Sequence, residues 1–583
     1  MRLTIEENGY GKQAALLRRC VAQRIGQTDS GAQMRLSLRV DGQLGAAESY
    51  AVTCADGAWT ITGADPLGLC YGIGKFLHTA QWNDRDFTPH PPAGIITPAH
   101  SFRAVYASIH FHNWYHQASA EELQAYLEEL LLWGYNTVVT IIPVVCLHSF
   151  EEPMFYELID KSRSLCRLAR EFGMQVGLIV NPNQGLLSAP ESIGADLSLF
   201  EHRGGSSGMN ICPHKEGAME YLTSLWIAQL EQFKDIGLDY VISWPYDEGG
   251  CGCEQCRPWG SNGFCDLSTA FFKEVERLYP AAKKILSAWY FDHPVNEGEY
   301  EGLWRRLQGD MAYVDYLMVD GHGAFPTYPL THERLKPMLN FPEISMWGLA
   351  PWGGRGANPL PRRFQRLWDS SKDALSGGMP YSEGIYEDIS KVQLVAYYWE
   401  PDRSYRDALA EYINYEYSGD VIDEVLEIME LIEVNHVGVY EKRQPDMAAC
   451  IRAEELARSV DRRLGERARG AWRWRLLYIR AVMDRVVYQY HTDHDNGRSV
   501  RGMEQEKTVK HYGQNVVLRG DEVTLYTLRK TKEWYLEESE EAMAMAEELC
   551  ALYHTDRENT HMATYPPVQG REAALAGKVF GTT

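Results

Sequence analysis

Residues 240–266 read YVISWPYDEGGCGCEQCRPWGSNGFCD. The apolar run Tyr240–Trp244 has the β-branched and aromatic residues of a buried strand, and two adjacent carboxylates, Asp247 and Glu248, follow it in a glycine turn. Burial at a strand end and a like charge next door both raise a carboxyl pKa, as a general acid requires near neutral pH. The alternative interpretation is a solvated turn with two surface acids, and the neighbouring strands decide between the two.

Similar apolar runs recur from Phe102 to Asp388, and each is followed by a helical segment. Eight runs are predicted as strands: Ala104–His110, Thr137–Ile142, Gln175–Val180, Tyr240–Trp244, Lys284–Trp289, Tyr316–Val319, Ile344–Trp347 and Gly378–Ser382. Eight βα units in about 285 residues predict an α/β fold, a (β/α)8 TIM barrel, whose usual size is about 250 residues. Ser119 and Glu122 predict a capping box at the start of the first barrel helix, Ala120–Trp133.

The segments on either side of the barrel have different patterns. Residues 1–95 alternate strand-like and helical stretches and predict a small N-terminal α+β domain, and the barrel then occupies residues 96–390. Long amphipathic patterns predict a C-terminal all-helical domain at 391–555, followed by an extended tail at 556–583.

Polar and aromatic residues follow all eight predicted strands, at the end of a barrel where catalytic groups gather. The candidate catalytic residues are Glu248, Asp247, Glu383 and Asp320. The candidate substrate-binding residues are Arg103, His110, Asn113, Trp114, Asn181, Trp289, His322, Trp347, Trp352 and Tyr381. Aromatic rings stack on sugar faces, amides and carboxylates bind hydroxyls, and a pair of carboxyl groups cleaves a glycosidic bond. For Arg103, a structural pair with a core acid is the alternative.

Composition narrows the class of partner. The chain has 583 residues and a formal net charge of −23, which argues against nucleic acid and anionic membranes as partners. It contains no long apolar run that would cross a membrane, and its N-terminus lacks a secretion signal, so we expect a cytoplasmic protein.

Four cysteines follow the acidic pair: Cys251, Cys253, Cys256 and Cys265. Four thiolates on one loop suit a structural zinc ion, although the spacing departs from paired CxxC knuckles. Free thiols that shape a tight loop are the alternative. No HExxH or comparable spacing indicates a catalytic metal, and we expect catalysis to require no cofactor.

Several of these motifs resemble known glycosidases. The segment TITGADPLGLCYGIGKFLHTAQW, residues 60–82, resembles the end of the N-terminal domain that precedes the barrel in family-20 β-hexosaminidases and family-67 α-glucuronidases. The acidic pair is similar to the Asp-Glu of family 20, which implies Glu248 as general acid and Asp247 as the group that steers a substrate acetamido. Here Trp244-Pro245-Tyr246 replaces the glycines that precede the pair in that family. The cysteine cluster resembles family-163 glycosidases, and the helical domain resembles family 67.

The resemblance implies an exo-acting glycoside hydrolase that trims small oligosaccharides and is β-N-acetylhexosaminidase-like. One alternative is an α-glucuronidase-like enzyme for a non-acetamido sugar, inverting or retaining, with Asp320 or Glu383 as the second carboxylate. Another is an inactive carbohydrate-binding barrel. The resemblance also implies a homodimer through the helical domain.

Overall fold

A computed structural model gives the fold of the chain. It describes all residues except 1, 26–30, 84, 110–113, 143, 145–146, 197–208, 246–249, 293–297, 322–323, 345–356, 382–384, 386, 436–445, 495–505, 512–513, 520–539 and 553–583. None of the helices in the described ranges has the length and apolar content needed to cross a membrane.

The N-terminal part is a mixed sheet with two helices. Its elements are β1 (Arg2–Glu6), α1 (Gly11–Arg24), β2 (Gln33–Val40), β3 (Tyr50–Ala55), β4 (Ala58–Gly63), α2 (Pro66–His78), β5 (Gln81–Trp82), β6 (Phe87–Thr88) and β7 (Ile95–Ile96). The sheet has the order β1-β2-β4-β3-β7, and β5 pairs with β6. The carboxylate of Asp65 caps α2 by accepting a hydrogen bond from the Gly68 N–H at 2.8 Å. A side chain at Gly74 would lie 2.0 Å from the Leu132 carbonyl oxygen, so glycine is what lets α2 pack closely against the barrel.

Eight parallel strands then close into a barrel, which confirms the predicted fold class. The barrel strands are β8 (Phe102–Ala107), β9 (Thr137–Ile141), β10 (Gln175–Val180), β13 (Tyr240–Ser243), β14 (Lys283–Ser287), β15 (Tyr316–Gly321), β16 (Met338–Pro342) and β17 (Leu375–Gly378). Between β10 and β13, the short strands β11 (Gln184–Gly185) and β12 (Met209–Asn210) form an antiparallel pair.

Helices alternate with the barrel strands. They are α3 (Trp114–Gln117), α4 (Ala120–Trp133), α5 (Pro153–Glu171), α6 (Ala218–Glu231), α7 (Gly263–Leu278), α8 (Glu299–Gln308), α9 (Thr327–Thr331), α10 (Pro361–Ser371) and α11 (Asp388–Trp399). The predicted capping box at α4 is present, with the Glu122 N–H donating to Ser119 Oγ at 3.2 Å and the Ser119 N–H donating to Glu122 Oε2 at 2.9 Å.

Side chains along each barrel strand alternate between two apolar clusters. In β8, Phe102, Ala104 and Tyr106 belong to the cluster inside the barrel. Val105 and Ala107 belong to the larger cluster between the strands and the surrounding elements. This alternation follows from strand geometry, and it decides which residues can reach a site at the mouth of the barrel.

The seventh strand differs from the prediction. The predicted strand Ile344–Trp347 is wrong, because the observed strand β16 is Met338–Pro342 and residues 345–347 are outside the described ranges. The side-chain oxygen of the buried Asn340 in this strand accepts a hydrogen bond from the Tyr398 hydroxyl at 2.7 Å.

The C-terminal region is mainly helical. Its elements are α12 (Tyr405–Glu416), α13 (Ile422–Asn435), α14 (Met447–Arg463), α15 (Glu466–Gly470), α16 (Trp472–His494), β18 (Glu506–His511), β19 (Gln514–Arg519) and α17 (Glu540–Leu552). The predicted helical region at the C-terminus is thus confirmed, and it additionally contains an antiparallel pair of strands, β18 and β19.

A buried ionic cluster joins the helical region to the barrel. The Arg473 guanidinium on α16 donates to Asp388 Oδ2 on α11 and to Glu129 Oε2 on α4, both at 2.7 Å. Asp388 also accepts a hydrogen bond from the Tyr412 hydroxyl at 2.8 Å. Asp388, which follows the eighth strand, therefore has a structural role.

Candidate active site

An aromatic cluster lies inside the carboxyl end of the barrel. Its members are Tyr106, Trp244, Trp289, Phe341 and Tyr381, from or just after five strands. The ring centroids of Trp244 and Phe341 are 4.9 Å apart, those of Trp289 and Phe341 are 5.4 Å apart, and those of Tyr106 and Tyr381 are 5.7 Å apart. The structure thus brings together two predicted binding residues, Trp289 and Tyr381, with three that the sequence analysis did not select.

The residue after Trp289 has an unusual backbone conformation. Tyr290 has φ +66°, in the left-handed region of backbone conformation that residues other than glycine rarely adopt. Its ring centroid lies 5.6 Å from that of Trp289. Such conformations cluster at functional sites, which fits the position of Tyr290 beside the aromatic cluster.

Buried amides line the end of the third strand. The predicted binding residue Asn181 donates from Nδ2 to the Trp244 carbonyl at 3.0 Å, which ties the third strand end to the fourth. Asn183 donates to Asn210 Oδ1 at 3.0 Å. Within the described ranges, Asn183 Oδ1, Gln184 Nε2 and Asn210 Nδ2 are buried and make no hydrogen bond. These groups retain capacity for hydroxyls or water, and the criterion that selected Asn181 also covers Asn183 and Gln184.

Glu343 is a carboxylate that the sequence analysis missed. It follows β16 directly, forms a parallel bridge with Tyr381, and is 5% exposed. Leu339 and Phe341 of the same strand lie inside the barrel, and Glu343 continues this alternation. The misplacement of the seventh strand hid it, because the residue then preceded the predicted strand instead of following the observed one.

The remaining candidates are described only in part or not at all. For Asp320 the backbone is described: it lies in β15, with Phe341 as its partner in β16. The other catalytic candidates, Asp247, Glu248 and Glu383, lie outside the described residues, as do five binding candidates, namely His110, Asn113, His322, Trp347 and Trp352. In the sequence, each of these falls between the end of a barrel strand and the next helix.

Arg103 requires a correction, because the structure supports its structural alternative. It lies on β8 between Phe102 and Ala104, which face the barrel interior, so its side chain lies on the outer face. The fully buried guanidinium pairs with Glu48 and donates to the carbonyls of Gly134 at 2.7 Å and His100 at 2.6 Å. These contacts engage the guanidinium of Arg103 near the amino end of β8, far from the carboxyl end of the strand.

Trp114 also has a packing role. Its ring lies in the outer apolar cluster, and its centroid is 5.3 Å from that of Tyr126 on α4 in an edge-to-face arrangement. Only 5% of the residue is exposed.

The cysteine cluster is real, but its membership differs from the prediction. Cys212, Cys251, Cys253 and Cys256 have sulfur atoms that all lie within 4.8 Å of one another, close enough to hold a metal ion. Cys265 is a correction: it lies in the first turn of α7, where its thiol donates to the Gly260 carbonyl at 3.1 Å. The hydrogen bond from Cys256 lowers the pKa of the Cys251 thiol, and backbone N–H groups of Cys253 and Asp196 act in the same direction.

A glycine fixes the start of the cysteine loop. Gly250 directly follows the segment 246–249 and has φ +65°. A Cβ atom there would lie 2.0 Å from ring carbons of Trp259, so the loop packs backbone against indole at this point.

Comparison with known proteins shows similarity of fold to several solved structures. No known protein-family profile and no curated protein sequence matches the chain. Among solved structures, a family 89 glycoside hydrolase from Clostridium perfringens, in complex with its substrate GlcNAc-alpha-1,4-galactose, is similar with a TM-score of 0.56 and 14% identity. The match covers 83% of this chain and 61% of that chain.

Two further structures are similar over nearly the whole chain. A family 115 4-O-methyl-alpha-glucuronidase with specificity for decorated arabinogalactans has a TM-score of 0.56 at 11% identity, over 99% of this chain and 79% of that one. A family 138 enzyme targeting pectin rhamnogalacturonan II has a TM-score of 0.52 at 12% identity, and the match covers 96% of this chain and 75% of that chain. The predicted resemblance to glycoside hydrolase barrels is thereby confirmed as a resemblance of fold.

Proposed function

We propose that the chain is an exo-acting glycoside hydrolase that trims small oligosaccharides. The observation that carries the proposal is the aromatic cluster at the carboxyl end of the barrel, with the buried carboxylate of Glu343 and the amides of Asn181 and Asn183 at the same end. Rings for sugar faces, amides for hydroxyls and a carboxylate beside them are the components of a glycoside-binding site. The fold likeness to three glycoside hydrolase families supports the same class of activity.

Glu248 is the proposed general acid and Asp247 the group that steers a substrate acetamido, as in β-N-acetylhexosaminidases. Both follow β13 in the chain, and Trp244, the residue directly after that strand, belongs to the aromatic cluster. The family 89 structure contains a substrate with an N-acetylglucosamine unit, which agrees with an acetamido sugar.

A second carboxylate decides the stereochemical course. Asp320 and Glu383 are the candidates from the sequence, and Glu343 is the candidate that the structure adds. A separation of about 5–5.5 Å from the acid makes the partner a nucleophile with retention, whereas about 6.5–9.5 Å leaves room for water and gives inversion. If none of the three serves, the substrate acetamido itself takes the role of nucleophile.

The second candidate function is an α-glucuronidase-like activity on a non-acetamido sugar, with Asp320 or Glu383 as the second carboxylate. The family 115 glucuronidase favours it, because that likeness extends over 99% of this chain. An inactive carbohydrate-binding barrel is the remaining alternative. A homodimer through the helical region, which light scattering tests, and a cytoplasmic location stay predictions.

The test is a screen of 4-nitrophenyl glycosides of both anomers with wild type and Glu248→Gln. The set contains N-acetylglucosaminide, N-acetylgalactosaminide, glucuronide and galactoside. We expect wild type to cleave an acetamido sugar and Glu248→Gln to be at least about 100-fold slower on the matching disaccharide. The loss should be smaller on the 4-nitrophenyl glycoside, because 4-nitrophenolate departs with little help from an acid.

Glu254→Gln is the matched control, because it removes an exposed carboxylate from the same loop and should leave turnover unchanged. Full activity of Glu248→Gln on the disaccharide contradicts the acid assignment. Cleavage of only non-acetamido sugars supports the second candidate, and sugar binding without any cleavage supports the inactive barrel.

A further inference from the structure

We propose that Cys212, Cys251, Cys253 and Cys256 bind one Zn²⁺ ion, and that this ion fastens the loop after β13 to the segment after β12. The proposal goes beyond the glycosidase activity and depends on it in one respect only, since the fastened loop begins three residues after Glu248. All four proposed ligands lie in described parts of the chain.

The positions of the sulfur atoms fit a tetrahedral site. Cys212 Sγ lies 3.9 Å from Cys253 Sγ and 4.0 Å from Cys256 Sγ. Four thiolates about 2.3 Å from a central zinc ion are about 3.8 Å from one another. A disulfide requires about 2.05 Å, so these atoms are placed as ligands around a common centre.

The ligand type selects the class of metal. Four sulfur donors with tetrahedral placement suit zinc, whereas Mg²⁺ and Ca²⁺ require oxygen ligands. Cys212, Cys251 and Cys256 are each no more than 2% exposed, so water has little access to the centre. A site closed by four protein ligands is structural, because it leaves no position for substrate.

A backbone amide partly compensates the charge of such a site. Zinc displaces the protons of the four thiols, and the resulting centre carries a net charge of −2. The Asp196 N–H donates to Cys251 Sγ at 3.3 Å. Such donors stabilise thiolates at the positions where the metal requires them.

The ion would connect two neighbouring βα loops. Cys212 comes just after β12, which pairs with β11 at the end of the third barrel strand. The other three ligands follow the fourth barrel strand, and Cys212 and Cys253 are 41 positions apart in the chain. Cys251 is three positions after Glu248 in the chain. The ion therefore restrains the part of the chain next to the proposed general acid.

The test begins with the zinc content of the full chain, purified without added metal or chelator. We expect one zinc per chain in wild type and less than one tenth of that in Cys212→Ser. Cys265→Ser is the matched control, because it changes a buried cysteine in the first turn of α7, just after the loop, whose thiol donates to a carbonyl instead, and it should keep one zinc. Equal zinc in Cys212→Ser and wild type overturns the proposal.

Cobalt substitution gives a second readout that does not need activity. Co²⁺ in wild type should show the intense visible bands of a tetrahedral site and a sulfur-to-metal charge-transfer band. If Cys212→Ser does not fold, Cys253→His keeps four ligands and should bind one Co²⁺ with weaker charge transfer, since one sulfur is lost. An unaltered spectrum in this variant overturns the assignment of Cys253 as a ligand. A wild-type chain whose mass shows disulfides in place of thiols overturns the metal site as a whole.

Hydrogen exchange tests the fastening itself. Amides of residues 250–262 should exchange at least tenfold faster in Cys212→Ser than in Cys265→Ser, because only the former releases the loop from the segment after β12. Equal exchange overturns the fastening role even if zinc is bound. The glycosidase proposal is judged separately by the glycoside screen, so an inactive chain that binds zinc, or an active chain without it, identifies which proposal has failed.

Discussion

Arg103→Met should destabilise the protein without weakening sugar binding. The guanidinium is fully buried, pairs with Glu48, and lies 4.9 Å from the ring centroid of Trp399. It thereby connects the N-terminal sheet, the barrel and the end of α11. Removing one partner of a buried ion pair costs about 3–5 kcal/mol, because the other charge is left without compensation. The Asn136 amide still donates to Glu48 at 3.1 Å, so we expect a loss near the lower limit, about 3 kcal/mol.

Thermal denaturation followed by circular dichroism measures this loss. A destabilisation of about 3 kcal/mol lowers the midpoint by about 6–12 °C for a cooperative unit of 150–250 residues. Arg18→Met is the matched control: Arg18 pairs with Glu7 at 2.6 Å on the surface, and its loss should cost less than about 1 kcal/mol. An Arg103→Met protein with the wild-type midpoint and a strongly raised KM would refute the structural role and restore the binding role.

Three further changes test other parts of the structure. Gly250→Ala places a Cβ atom against Trp259 at a residue with positive φ, so we expect lower stability and at least tenfold lower turnover. Gly42→Ala is the control: no atom lies within 4 Å of the added Cβ position, so this change should alter neither property. Glu343→Gln should lower kcat at least about 100-fold with an unchanged melting midpoint if this carboxylate takes part in the reaction, and wild-type kcat would exclude it. Burial lowers the pKa of His78 well below its usual 6.5. As the pH falls, His78 is therefore protonated in the unfolded chain at a higher pH than in the folded chain. The free energy of unfolding should then decrease below pH 6.5 by up to about 1.4 kcal/mol per pH unit, and denaturation of His78→Phe should show a shallower dependence.

The strands could be predicted because barrel strands are buried on both faces and form short apolar runs between helices. Six of the eight observed strands begin within two residues of the predicted position. The seventh was misplaced because Met338–Pro342 contains an asparagine and a proline, while Ile344–Trp347 is more apolar. The buried Asn340 oxygen accepts a hydrogen bond from Tyr398, 58 positions later in the chain, and no local sequence pattern indicates that contact.

Continuous apolar runs also conceal which face of a strand lines the site. Arg103 and Tyr106 lie in the same observed strand, β8, and the sequence does not show that the first faces outward and the second inward. One member of the cysteine cluster was predicted wrongly for a different reason. Spacing on one loop favoured Cys265, whereas Cys212 joins the cluster through the position of a loop on the neighbouring βα unit. Such proximity depends on the tertiary fold and cannot be derived from the spacing of cysteines along the chain.

The ionic cluster around Arg473 bears on how this architecture can be altered in evolution or by design. A chain shortened to end after α11 would leave the carboxylates of Asp388 and Glu129 at the barrel surface without their guanidinium. Transferring the barrel alone into another protein would leave the same two carboxylates without their guanidinium. We therefore expect the barrel to lose stability when it is separated from the helical region, and a change on one side of this contact to require a compensating change on the other.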